Sequence, residues 1–184
     1  MPESRLNYKL AFVRNPYDKV YSGFEQLKRD IEEQPSYQFP LPWIRDLVIA
    51  QLSDNLVQLR RADFCFDNWV RLIKEEQIYE VGRNSNFPLH PAHYWTHVGG
   101  TRLVDFVGKV ENFEEDFQRL ISENNIEETG SESINVHHEE GLGRPIGYRY
   151  ARYRYTHLMN SASIERINRL FEADFDIFGY EKVV

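Results

Sequence analysis

The sequence predicts an α/β layer fold, and two strand-then-helix units carry that prediction. Residues 9–13, KLAFV, form a short apolar run of the length of a buried strand. Asn15-Pro16 follows at once as a helix start. Asn caps, and Pro fits the first turn because its missing N–H would be unpaired there anyway. Val20, Phe24, Leu27 and Ile31 then recur at helical spacing as one apolar stripe. Residues 103–107 repeat the strand pattern and are followed by Gly108. A second helix is signalled by Asn112 as cap, by Glu115 three residues on as in a capping box, and by Phe113, Phe117, Leu120 and Ile121 on one face. Strands separated by helices define the class.

Between and after these units the pattern is mainly helical. A proline-bearing break at 34–42 precedes a helix expected over 43–59, with Trp43, Leu47, Ala50 and Leu56 on a loose stripe. A third helix is expected over 67–76, turning Trp69, Val70 and Ile73 inward. Residues 84–100 hold Pro88, Pro91, Gly99 and Gly100 and are expected to be mostly loop. Residues 126–147 are polar, glycine-bearing and acidic, a long loop of a functional or mobile kind whose acidic run 127–140 is expected to be solvated. The last helix is expected over 161–173, carrying Ile164, Ile167, Leu170 and Phe171.

A chain of 184 residues fits a single domain, residues 1–184, able to bury a core without disulfides. A net charge of −7 argues against a nucleic-acid coat, so cations that bind an anion must be clustered locally. The single cysteine, Cys65, suits a reducing compartment. No window approaches the ~20 apolar residues of a membrane span, and MPESRLNYK lacks a signal-peptide core. The expectation is a cytoplasmic protein with no membrane segment and no nucleic-acid partner.

Three segments carry chemistry. Arg14 falls in the tight strand-to-helix turn, and Ser22 about two turns into the helix. A guanidinium beside a helix N-terminus makes an anion site, because free amides and the helix dipole act together. The alternative leaves Arg14 paired with a surface carboxylate and Ser22 merely on a helix surface. His90, His93 and His97 stand at spacings of three and four in FPLHPAHYWTHV. That spacing can make a zinc face on a helix, but Pro88 and Pro91 interrupt it and no Cys or Asp completes a shell, so no metal is expected. An imidazole also suits a general base near neutral pH, and an exposed loop histidine is the remaining reading. Finally, residues 144–155, RPIGYRYARYRY, interleave Arg144, Arg149, Arg152 and Arg154 with tyrosines. That pattern fits a half-buried strand or a single-strand nucleic-acid platform. Lys109 and Glu111 fit a structural salt bridge or an active-site pair equally well.

Taken in order, FVRNPYDKVYSGF (12–24), DFVGKVENFEEDF (105–117) and LFEADFDIFGY (170–180) resemble the blocks of the sulfotransferase family typified by carbohydrate sulfotransferases. The resemblance implies a P-loop-NTPase-like sulfotransferase fold, with a parallel sheet flanked by helices. It implies transfer of a sulfuryl group from 3'-phosphoadenosine 5'-phosphosulfate (PAPS) to a hydroxyl of a carbohydrate or other small polar acceptor. In the family an Arg and a Ser eight residues later grip the 3'-phosphate; those positions are Arg14 and Ser22 here. His93-Tyr-Trp is similar to a His-Trp patch before the second block, which makes His93 the catalytic base and His90 its reserve. The segment before the last helix closes over the nucleotide in relatives, so 144–155 is expected to be a cofactor loop. A lysine-bearing phosphosulfate loop precedes the Arg-Asn-Pro strand in the family. This sequence has no Gly-x-x-x-x-Gly-Lys-Ser/Thr pattern. The expectation is therefore an N-terminally truncated form with impaired catalysis. The rivals are a non-catalytic nucleotide-binding or interaction domain that has lost the loop, and a nucleic-acid module built on the Arg/Tyr stretch.

Overall fold

The structure, a computed structural model, describes residues 8–33, 44–45, 65–80, 89–124 and 156–184. Strand β1 (Leu10–Val13) runs into helix α1 (Pro16–Glu33) through the Arg14-Asn15 turn. Asn15 caps α1 as predicted, its Oδ1 accepting the Tyr17 N–H at 3.0 Å. Helix α2 (Phe66–Leu72) is followed by a 3-10 turn at Glu76–Tyr79. A short helix α3 (Ala92–Thr96) leads into strands β2 (His97–Val98) and β3 (Thr101–Arg102). Strand β4 (Phe106–Lys109), a 3-10 turn at Val110–Asn112 and helix α4 (Phe113–Asn124) come next. The chain then gives helices α5 (Ser161–Leu170) and α6 (Glu172–Phe178).

β1 and β4 pair in parallel, with Leu10 opposite Phe106 and Val13 opposite Lys109. A parallel pair needs a long crossover, supplied here by everything from α1 to the β2–β3 hairpin. The α/β class therefore holds, with helices packed around a small parallel sheet. The strand expected at 103–107 lies at Phe106–Lys109 and includes Gly108 rather than ending before it. The reason is steric: Gly108 sits opposite Phe12, and a Cβ there would stand 2.4 Å from the Phe12 ring. Residues 103 and 105 serve other bonds, Leu103 N–H to the Thr96 carbonyl at 2.8 Å and Asp105 N–H to the Lys9 carbonyl at 2.7 Å.

The stretch expected to be loop before residue 100 holds α3 and a hairpin. Pro91 is the residue before the first helical position of α3, and Gly99 and Gly100 turn the hairpin with φ of 56° and 81°. Two successive positive φ values suit a two-residue turn between antiparallel strands. The 3-10 turn takes Asn112 into the helical run, so it does not cap α4. The carboxylate that reaches back is Asp116, accepting the Lys109 N–H at 2.6 Å, while Glu115 is exposed. The last helix is two helices: Phe171 leaves helical geometry (φ −116°, ψ 24°), and Gly179 ends α6 in the left-handed region at φ 62°.

One core joins these elements. Val20, Phe24 and Leu27 of α1 meet Phe66, Trp69 and Val70 of α2 and Ile167, Leu170, Phe171 and Phe175 from the C-terminal helices. Trp69 and Val70 are fully buried and Ile73 nearly so, as their spacing predicted. Burying each large apolar side chain contributes roughly 1.5–3 kcal/mol. Of the helix expected over 43–59, only Ile44 and Arg45 are described; both are helical, and Ile44 is buried in the core. The expectations for 126–147 and 144–155 lie outside the described residues. Among the described residues, no helix is long and apolar enough to cross a membrane.

Candidate functional site

The predicted phosphate contacts sit on the β1–α1 unit. Arg14 is half-buried in the turn and Ser22 half-buried one turn beyond Lys19 on α1. The backbone around them is already committed. Asn15 N–H donates to Glu111 Oε1, and the same carboxylate accepts the Tyr180 hydroxyl at 3.0 Å through Oε2. Burial first, and then the Glu111 charge, push the Tyr180 hydroxyl up, which keeps it a donor. A carboxylate of the protein thus lies at the α1 N-terminus. Glu111 and Lys109 are not partners in this arrangement: the Lys109 ammonium lies 4.5 Å from the centre of the Tyr180 ring.

The histidines separate in space. His90 is buried, its ring stacked on Tyr94 (5.9 Å) and edge-on to Trp95 (5.4 Å). Burial, then the nearby Lys19 charge, hold His90 below its ordinary value, so the neutral ring is favoured. His97 Nδ1 pairs with Thr96 Oγ1 at 2.9 Å. His93 lies on α3, its side chain 20% exposed, with Nδ1 at 2.7 Å from Asp174 Oδ1. Among the described residues these side chains form no group able to hold a metal ion.

Asp174 organises this segment. Its carboxylate is 1% exposed and accepts the Ala92 N–H at 2.6 Å and the His93 N–H at 2.9 Å, so it closes the N-terminus of α3. Lys19 reaches in from α1, its Nζ 3.8 Å from Asp174 Oδ2, and donates to the His90 carbonyl. Desolvation, only partly offset by Asp174, pushes the Lys19 ammonium down to about 8. Helix α1 therefore carries the two predicted phosphate contacts and, through Lys19, the anchor of the histidine segment.

Sequence reasoning missed Lys19 and Asp174. A signal existed for Asp174: it stands on the apolar stripe of Ile167, Leu170, Phe171, Phe175 and Phe178, where a carboxylate is out of place unless it has a buried partner. Lys19 gives no comparable signal. Separately, an open cleft of about 390 Å³ is lined by His97, Arg102, Lys109, Asp116, Arg119 and Phe178 among others. Arg14, Ser22, His90 and His93 do not line it.

The fold and this geometry meet an independent comparison. The family model of the sulfotransferase family matches residues 3–181, nearly the whole chain. The chain belongs to the sulfotransferase family, and its general chemistry is sulfuryl transfer. No curated protein and no solved structure matches it.

Proposed function

We propose that this chain uses PAPS as donor and sulfates a hydroxyl of a carbohydrate or other small polar acceptor. Its small parallel sheet belongs, on this reading, to a P-loop-NTPase-like sulfotransferase fold. PAPS, when bound, supplies the sulfuryl group and leaves as the 3',5'-bisphosphate. The donor set at the β1–α1 turn fits a phosphate: a half-buried guanidinium at Arg14 and a hydroxyl at Ser22, fixed on one capped helix. His93 takes the acceptor hydroxyl's proton at Nε2 as the new S–O bond forms. Between the two predicted bases the geometry favours His93, because His90 is 6% exposed and packed among aromatic rings. The acceptor is held by its other hydroxyls, and positioning supplies much of the rate. A cytoplasmic setting is part of the proposal, consistent with the free thiol of Cys65.

The single observation that carries this reading is the family match spanning the Arg14 and His93 segments alike. Its test is calorimetry with 3'-phosphoadenosine 5'-phosphate. A charge-assisted contact contributes roughly 1.5–3 kcal/mol, so Arg14→Ala should weaken binding by about 10- to 100-fold and Ser22→Ala by less. Unchanged affinity in Arg14→Ala rejects the phosphate role. Binding by the wild-type chain with no sulfuryl transfer to any sugar acceptor supports the rival reading, a nucleotide-binding domain without catalysis.

A further inference from the structure

The geometry points to Asp174 as the positioning residue that fixes the tautomer of His93 and so makes Nε2 its proton-accepting atom. The catalytic meaning of this rests on the proposed role of His93; the tautomer itself does not. Asp174 Oδ1 already accepts the His93 backbone N–H at 2.9 Å, so the same oxygen is an acceptor toward the ring. Nδ1, 2.7 Å away, must then carry the hydrogen. A neutral ring with hydrogen on Nδ1 has its lone pair on Nε2. The carboxylate is held so that it cannot turn away: Oδ2 accepts from Ala92 N at 2.6 Å, Lys19 Nζ stands 3.8 Å off, and the side chain is 1% exposed. One carboxylate thus starts helix α3, sets the direction of the His93 ring and stabilises the imidazolium that forms when Nε2 takes a proton. Nothing in this arrangement requires Asp174 itself to gain the proton, which passes from the acceptor oxygen to Nε2.

Among the described residues, the groups facing His93 are Asp174 from α6, Lys19 from α1 across that carboxylate, and Tyr79, whose ring lies edge-on at 6.1 Å. Burial, followed by the Asp174 and Glu75 charges, holds the Tyr79 hydroxyl above its ordinary value, so it stays neutral through the range in which histidine titrates. Asp174 is the group in direct contact with the His93 ring nitrogen.

The test is nitrogen-15 NMR of ring-labelled histidine in the full chain, assigned by His93→Gln. Wild-type protein should show His93 with hydrogen on Nδ1. Asp174→Asn, which can donate to Nδ1, should move the hydrogen to Nε2. Affinity for 3'-phosphoadenosine 5'-phosphate should stay within twofold in that variant. Where sulfuryl transfer is measurable, its rate should fall by roughly 10²–10⁴-fold, and Asp174→Asn should add little in the His93→Gln background. A wild-type spectrum with hydrogen on Nε2 overturns the inference, and that measurement stands even if Asp174→Asn fails to fold. A tautomer unchanged in a folded Asp174→Asn protein overturns it equally. A correct tautomer with transfer unchanged in His93→Gln leaves the positioning intact and counts against His93 as base.

Discussion

Lys19 is held by geometry in a place where solvation would not put it. Its ammonium stands 5.5 Å from the centre of the Phe171 ring and has a carboxylate and a carbonyl for company. Burial pushes its pKa from 10.5 down to about 8. Between those two values the unfolded chain binds the extra proton and the folded chain does not, so stability rises with pH through that window. The gain is at most on the order of 3 kcal/mol. Denaturant midpoints measured from pH 8 to 10.5 should climb for wild-type protein relative to Lys19→Met, which keeps the apolar stem and removes the titration. Parallel curves would show that Lys19 does not titrate in this range. His90 works on the acid side: its lowered value means stability falls as pH drops through 6.5.

Elements here are set as much by what is missing from a side chain as by what is present. Gly108 admits the Phe12 ring, and Gly108→Ala should destabilise by roughly 1–3 kcal/mol through overpacking. Phe12→Leu in the same chain should recover part of that loss, a coupling that thermal denaturation of the four variants will measure. At α5, Asn160 Oδ1 accepts the Ser163 N–H at 2.8 Å, and Asn160→Ala should cost about 1 kcal/mol in the same measurement. These two positions also show what was legible. Caps and stripes are local, so α1, α2 and the burial of Trp69, Val70 and Ile73 were readable from spacing. The offset of β4 and the break at Phe171 were not. The first depends on a ring 96 residues away, and the second on which partner α6 must reach. Propensity sees neither.

Over the whole molecule the site is a long-range object. The local placement of Arg14 and Ser22 was legible because a turn and a helix hold them within one unit, while their proposed role and that of His93 await the binding test. The Lys19–Asp174–His93 assembly was not, since it is drawn from α1, α3 and α6 and exists only once they pack. Nucleotide binding to the folded form should stabilise all of it together. At about a hundred times its dissociation constant, 3'-phosphoadenosine 5'-phosphate should add about 2.7 kcal/mol in thermal denaturation, and Arg14→Ala should lose most of that at the same concentration.

The contact between His93 and Asp174 spans 81 residues of chain. On a ribosome, the β1–α1 unit with Arg14 and Ser22 emerges first and His93 later, while the carboxylate that aims the imidazole is still unsynthesised. At ~5–20 residues per second that interval is some seconds long. A nascent chain in this window holds the proposed phosphate contacts and lacks the partner that orients His93. On the proposed mechanism, the aim of the histidine is completed late in biosynthesis, at the same step in which the C-terminal helices join the core against α1.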